Sequence, residues 1–96
     1  MSLYNLLISK RDDILKLAEK YGAYNIRIFG SVVRGEENEK SDIDFLVDFK
    51  PNIGLMEWSG LWVALEDLLG CKVDVATEKV LKSRIKSRIL KEARPL

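Results

Sequence analysis

The stretch "LMEWSGLWVALEDLL", residues 55–69, lies between two short alternating runs and restricts the chain more than any other feature. Leu55, Trp58, Trp62, Leu65 and Leu69 recur at helical spacing, and Gly70 follows where such a helix would end. Before it, "DIDFLVDF" (42–49) sends Ile43, Phe45, Val47 and Phe49 to one face and Asp42, Asp44, Leu46 and Asp48 to the other. After it, "CKVDVAT" (71–77) sets Cys71, Val73 and Val75 against Lys72, Asp74 and Ala76. A helix between two strands is a crossover, so the strands run parallel if they share a sheet. Their N-terminal ends then lie together.

The remaining segments extend this frame. From Leu3 to Tyr21 the apolar residues 3, 7, 14, 18 and 21 mark one helical face, with Ser2 as its cap and Gly22 suited to the left-handed position after its end. "NIRIF" (25–29) alternates as a strand, "KPNIG" (50–54) is turn chemistry, and Leu81, Ile85 and Ile89 mark a last helix. The expected order is α-β-β-α-β-α. The expected class is α/β (α+β), a small mixed β-sheet flanked by helices in a single domain spanning residues 1–96. If the first strand runs antiparallel to the second, its C-terminal end joins the other two strand starts. Gly30-Ser31, Asp42, Asp44 and Asp74 then meet at one edge.

With 47% hydrophobic and 32% charged residues, composition fits a soluble globular chain. No apolar run approaches the roughly 18 residues of a membrane span, and the N-terminus does not read as a signal peptide. The one cysteine, Cys71, suits a reducing cytoplasm and reads as a small buried residue. There is no histidine, which removes Ser/His/Asp and Cys/His nucleophiles and His-ligated zinc. Any catalysis must rest on carboxylates, cations, backbone amides or a metal held by oxygen. Residues 77–96 carry seven Lys/Arg and two Asp/Glu, a local charge of +5 that leaves −4 on the rest of the chain.

Asp42 and Asp44 leave one face of their strand about 6–7 Å apart, and Asp74 approaches from a neighbouring strand about 5 Å away. Two such carboxylates repel by about 0.7 kcal/mol in water, and by about 3 kcal/mol at an effective dielectric of 20. Such a cluster needs a shared proton or a cation. Mg²⁺ takes one or two carboxylates and completes its shell with water and phosphate oxygens. Gly30-Ser31 offers a close backbone approach, outward amides and a hydroxyl, and Arg34 lies one helical turn further on, within reach of a phosphate. Taken singly, Gly-Ser is a common turn, Asp-x-Asp a common solvated strand edge and Asp74 an exposed strand residue. Together they form a pattern that folding does not ask for.

The segment "GSVVRGEENEKSDIDFLVDF" resembles the nucleotidyltransferase superfamily that includes DNA polymerase β, with its fingerprint Gly-Ser-x10-Asp-x-Asp at Gly30, Ser31, Asp42 and Asp44. The longer form, with "GSVVRG", "SDID", the third-strand "VDVAT" and the closing "RIKSRILKEA", looks like the minimal nucleotidyltransferases, the MntA-type antitoxins encoded beside HEPN-domain toxins. The resemblance implies the polymerase β-like fold. It implies two Mg²⁺ ions held by Asp42, Asp44 and Asp74, with Gly30 and Ser31 on the β- and γ-phosphates of ATP. The implied reaction is AMP transfer from ATP to a tyrosine hydroxyl of a partner HEPN toxin from a neighbouring gene. Two other readings stay open: an antitoxin that neutralises by binding alone, and a nucleotidyltransferase acting on a small molecule such as an antibiotic.

Other features have structural and functional readings. Trp58 and Trp62 suit the core, or else a partner surface. The basic last helix suits a solvated face, then docking to an acidic partner, and only third direct nucleic-acid binding. "GEENEK" (35–40) reads as a solvated loop over the site's mouth. Asp48 lies on the Asp42/Asp44 face but roughly 13 Å beyond Asp44, too far to share a metal.

Overall fold

Ser2 opens the first helix as the sequence suggests: its hydroxyl accepts the Asn5 N–H at 3.1 Å. The computed structural model describes residues 2–36 and 42–96, so most of the loop expected over the site's mouth lies outside the described residues. The expected single N-terminal helix is two, α1 (Leu3–Ser9) and α2 (Arg11–Lys20). Lys10 leaves helical geometry between them, at φ −104° and ψ 9°. The break lets Leu7 and Ile14 both reach the core, at 0% and 1% exposure. Gly22 takes φ +78° after α2 and turns the chain into β1 (Ala23–Phe29).

A four-residue helix, α3 (Ser31–Arg34), follows Gly30 directly. Then come β2 (Ile43–Phe49), α4 (Leu55–Leu69) and β3 (Val73–Ala76). A 3-10 turn (Glu78–Val80), α5 (Ser83–Glu92) and β4 (Arg94–Pro95) complete the described chain. The sheet order is β3-β2-β1-β4. β2 and β3 are parallel, as the crossover requires, and β1 is antiparallel to both β2 and β4. The mixed sheet flanked by helices is as expected. The two-residue β4 is an addition, secured by Leu96 N–H donating to the Ile26 carbonyl at 3.0 Å.

Ile43, Phe45 and Val47 point into the main core with Leu61 and Leu65 of α4 and Leu7 and Ile14 of α1 and α2. Trp58 and Trp62 pack against this core. The Trp58 indole N–H donates to the Val75 carbonyl at 3.0 Å, and its ring lies 5.7 Å from that of Phe49. Leu46, on the Asp face of β2, is also fully buried. α5 lays Ile89 over it beside Ala76, with Phe29, Leu81 and Ala93 around them, forming a second, smaller core. Cys71 packs on the rim of the main core and is part-exposed rather than buried. Among the described residues, no helix is long and apolar enough to cross a membrane.

Candidate active site

The sheet register assembles the site. Asp44 stands opposite Asp74 across the parallel β2–β3 ladder and opposite Phe29 across the antiparallel β1–β2 ladder. Gly30, the next residue after Phe29, therefore lies beside Asp44. It sits at φ +81° and ψ −154°, and a Cβ built there would collide with the Asp44 carboxylate. Glycine is required twice over, for its backbone angle and for the space that Asp44 fills. Ser31, part-buried, begins α3 at once. Asp42 lies exposed just ahead of β2, and Asp74 is exposed on β3. The Gly-Ser turn and the three aspartates thus gather at one edge of the sheet, formed by the end of β1 and the starts of β2 and β3.

The electrostatics follow from that gathering. Burial, then the Asp74 and Asp42 carboxylates, push the Asp44 carboxyl up to about 6. Glu92 acts in the same direction, and Arg34 opposes it. The nearby Cys71 thiol is also pushed up, by burial and then by Asp42 and Glu66, which keeps it protonated and inert.

A divalent cation is the natural relief for such a cluster, and the donors are hard oxygens suited to Mg²⁺. Among the described residues, no group of three or more acidic, cysteine or histidine side chains stands ready to enclose an ion. Asp42 and Asp74 are exposed, so the donor set suits a cation that arrives with a phosphate-bearing ligand and keeps water in its shell. An open cleft of about 640 Å³, lined by Tyr24, Asp48, Trp58 and Glu78 among others, lies at the far end of β2.

Arg34 reaches the site's border but does not face it alone. Its Nε donates to Glu36 at 2.9 Å and its Nη1 to Glu92 at 2.7 Å. Glu92, which the sequence reading did not single out, also accepts the buried Gly30 N–H at 2.8 Å. The available signal was slight: Glu92 is one of only two acidic residues in the basic last twenty. Asp48 sits apart, as expected. Arg27 Nη2 and the Asn25 side-chain amide donate to its two oxygens at 3.2 and 2.9 Å.

Comparisons with known proteins find a family match and structural neighbours. The family profile described as "nucleotidyltransferase domain" matches residues 12–96. The protein adenylyltransferase MntA of Thermococcus cleftensis is 44% identical over 77 residues, covering 80% of this chain and 78% of the relative. A candidate protein adenylyltransferase of Methanocaldococcus jannaschii is 43% identical over 91 residues, covering 90% of this chain and 89% of the relative. Among solved structures, one described as a candidate minimal nucleotidyltransferase superposes at a TM-score of 0.87. It has 43% identity and covers 100% of this chain and 97% of its own. A toxin–antitoxin structure with AMP-PNP gives a TM-score of 0.73 at 21% identity, covering 88% and 69%, and supports the fold alone.

Proposed function

The chain belongs to the nucleotidyltransferase domain family, and we propose that it transfers AMP from ATP to a hydroxyl of a partner protein. The observation that carries this reading is Asp44 held opposite Asp74 with Gly30 packed against it, at the same sheet edge as Ser31 and Asp42. Residues 1–96 act as one nucleotidyltransferase domain in this reading. The MntA relative supports protein as the acceptor. The natural partner is a HEPN toxin encoded nearby, with a tyrosine hydroxyl as acceptor, and the natural setting is the cytoplasm, where ATP and Mg²⁺ are abundant.

Each residue has a role. Gly30 and Ser31 hold the β- and γ-phosphates, Ser31 through its hydroxyl. Arg34 adds a planar cation at the border of the phosphates. Asp42 and Asp44 would hold Mg²⁺, and Asp74 would help hold a second ion. When bound, the ions would neutralise the triphosphate and the charge that grows on the entering and leaving oxygens. The acceptor oxygen attacks the α-phosphorus in line with the bridging α–β oxygen. A P–O bond to the acceptor forms, the α–β bridge breaks, and pyrophosphate leaves. The hydroxyl proton passes towards Asp74, which faces solvent at the edge of the sheet and can release it. No histidine is needed at any step.

Label transfer tests the proposal. The chain is mixed with Mg²⁺, α-labelled ATP and the product of the neighbouring gene, with Asp42→Asn and Asp44→Asn variants run beside it. A labelled partner band with the wild-type chain alone is expected. A stable complex without label would overturn transfer and leave neutralisation by binding. Label on an antibiotic-type small molecule but not on protein would move the acceptor to that class.

A further inference from the structure

Glu92 ends α5 and reaches back 62 residues to the turn after β1. Its Oε2 accepts the Gly30 N–H at 2.8 Å, and its Oε1 accepts Arg34 Nη1 at 2.7 Å. One carboxylate thus ties the residue before α3 to the last residue of α3. The Glu92 side chain is only 15% exposed. A carboxylate so withdrawn from water is costly unless both oxygens find donors, and here both do.

The second consequence falls on Arg34. Its Nε is bonded to Glu36 and its Nη1 to Glu92, so two edges of the planar guanidinium are fixed. The third nitrogen, Nη2, is the other prong of the fork, and its direction is set once those two bonds are made. Glu92 links Arg34 to Gly30, and Gly30 packs against Asp44, so the guanidinium lies close to the aspartate cluster.

We propose that Glu92 is a positioning residue: from α5 it fixes the Gly30-Ser31 turn and aims Arg34 at a phosphate oxygen of the bound nucleotide. This rests on the reading of Gly30, Ser31 and Arg34 as the triphosphate-binding group. Glu92 acts through those residues and touches neither the nucleotide nor the acceptor. Arg34 is preorganised before the nucleotide arrives, so less freedom is lost on binding.

The test is a double-mutant cycle read in MgATP affinity and in transfer kinetics, with a melting curve for each protein. Glu92→Gln keeps an oxygen for the Gly30 N–H but withdraws the charge from Arg34. About tenfold weaker MgATP binding is expected, with KM rising more than kcat falls. Placed in an Arg34→Gln background, the same change should cost nothing further. A merely structural Glu92 would lower the melting temperature and show the same loss in both backgrounds, which would overturn the proposal. Binding by Glu92→Gln as tight as wild type, or tighter, would also overturn it, the tighter case showing that Glu92 competes with phosphate. If Glu92→Gln does not fold at assay temperature, Arg34→Lys decides. It keeps the charge pair but loses the fork, so weaker MgATP binding is expected and wild-type affinity would overturn the proposal. A wild-type chain that binds no MgATP overturns the triphosphate reading itself, and this inference with it.

Discussion

Asp44 and Asp48 project from the same face of β2 four residues apart, yet one stands among carboxylates and the other among donors. Asp44 faces Asp74 and has Asp42 close by, while Asp48 is held by Arg27 and Asn25. Two aspartates on one strand therefore have opposite parts, one suited to gathering a cation and one to closing the fold.

That contrast is measurable. Asp44→Asn is expected to cut AMP transfer by at least 10²-fold while leaving stability near pH 7.5 unchanged or slightly higher, because a repelling charge is gone. Asp48→Asn is expected to keep transfer within a few-fold and to lose about 1 kcal/mol in urea unfolding, because Arg27 loses a charged partner. Equal loss of activity in both variants would contradict the assignment.

The raised Asp44 carboxyl makes metal-free stability depend on pH. It titrates near 6 in the folded chain, against roughly 3.9 unfolded, so the folded state binds this proton more tightly. Stability therefore rises as pH falls from about 7 to about 4, by on the order of 1 kcal/mol after allowing for solvent at a half-exposed group. Glu92 runs the other way. Burial pushes it up, but the bonds from Arg34 and Gly30 outweigh this and hold it below its ordinary value. Its stabilisation is present at neutral pH and is lost in stronger acid. Melts in chelator at stepped pH check this, and Asp44→Asn should flatten the rise.

The same proton competes with the cation. With Mg²⁺ and ATP present, transfer is expected to fall as pH drops below about 6, roughly tenfold per unit once Asp44 is mostly protonated. Raising Mg²⁺ should shift the fall to lower pH. A profile flat to pH 5 would exclude Asp44 from the metal.

Gly30→Ala places a methyl group against the Asp44 carboxylate at a backbone angle of +81°. A loss of about 1–3 kcal/mol in stability and near-complete loss of transfer are expected, read by calorimetry and label transfer. Gly35→Ala is the comparison. Its φ is also positive, at +72°, but nothing among the described residues lies within 4 Å of an added Cβ, so only the smaller backbone cost of about 1 kcal/mol should appear.

Trp58→Phe removes the indole bond to Val75 while keeping a ring beside Phe49. A stability loss of about 1–2 kcal/mol is expected from an unpaired carbonyl and a smaller ring, with transfer retained. Val75 follows Asp74 on β3, so a large activity loss here would show that this bond also sets the height of Asp74.

The crossover and the edge of aspartates were legible because they rest on period and order. α4 is long, ends at a glycine and separates two alternating runs, and that alone sets β2 and β3 parallel. The short elements were not legible. β4 is two residues held by pairing with β1, and Arg94-Pro95 has no strand pattern of its own. The break at Lys10 follows from where Leu7 and Ile14 must pack, which no local signal shows. Alternation puts Leu46 on the Asp face, but its burial depends on α5 folding over it. Glu92 was hidden for the same reason, since its partners are 62 and 58 residues away.

The long reach of that carboxylate has a consequence for how the chain is made. Synthesis runs from the N-terminus, so the Gly-Ser turn and the aspartates emerge well before Glu92 is added. A nascent chain would carry the aspartate cluster before Arg34 has Glu92 to bond. The covering of Leu46 by Ile89 is late for the same reason. Chains ended before residue 92 would keep the Gly-Ser turn and the aspartates but lack the carboxylate that holds Gly30 and Arg34.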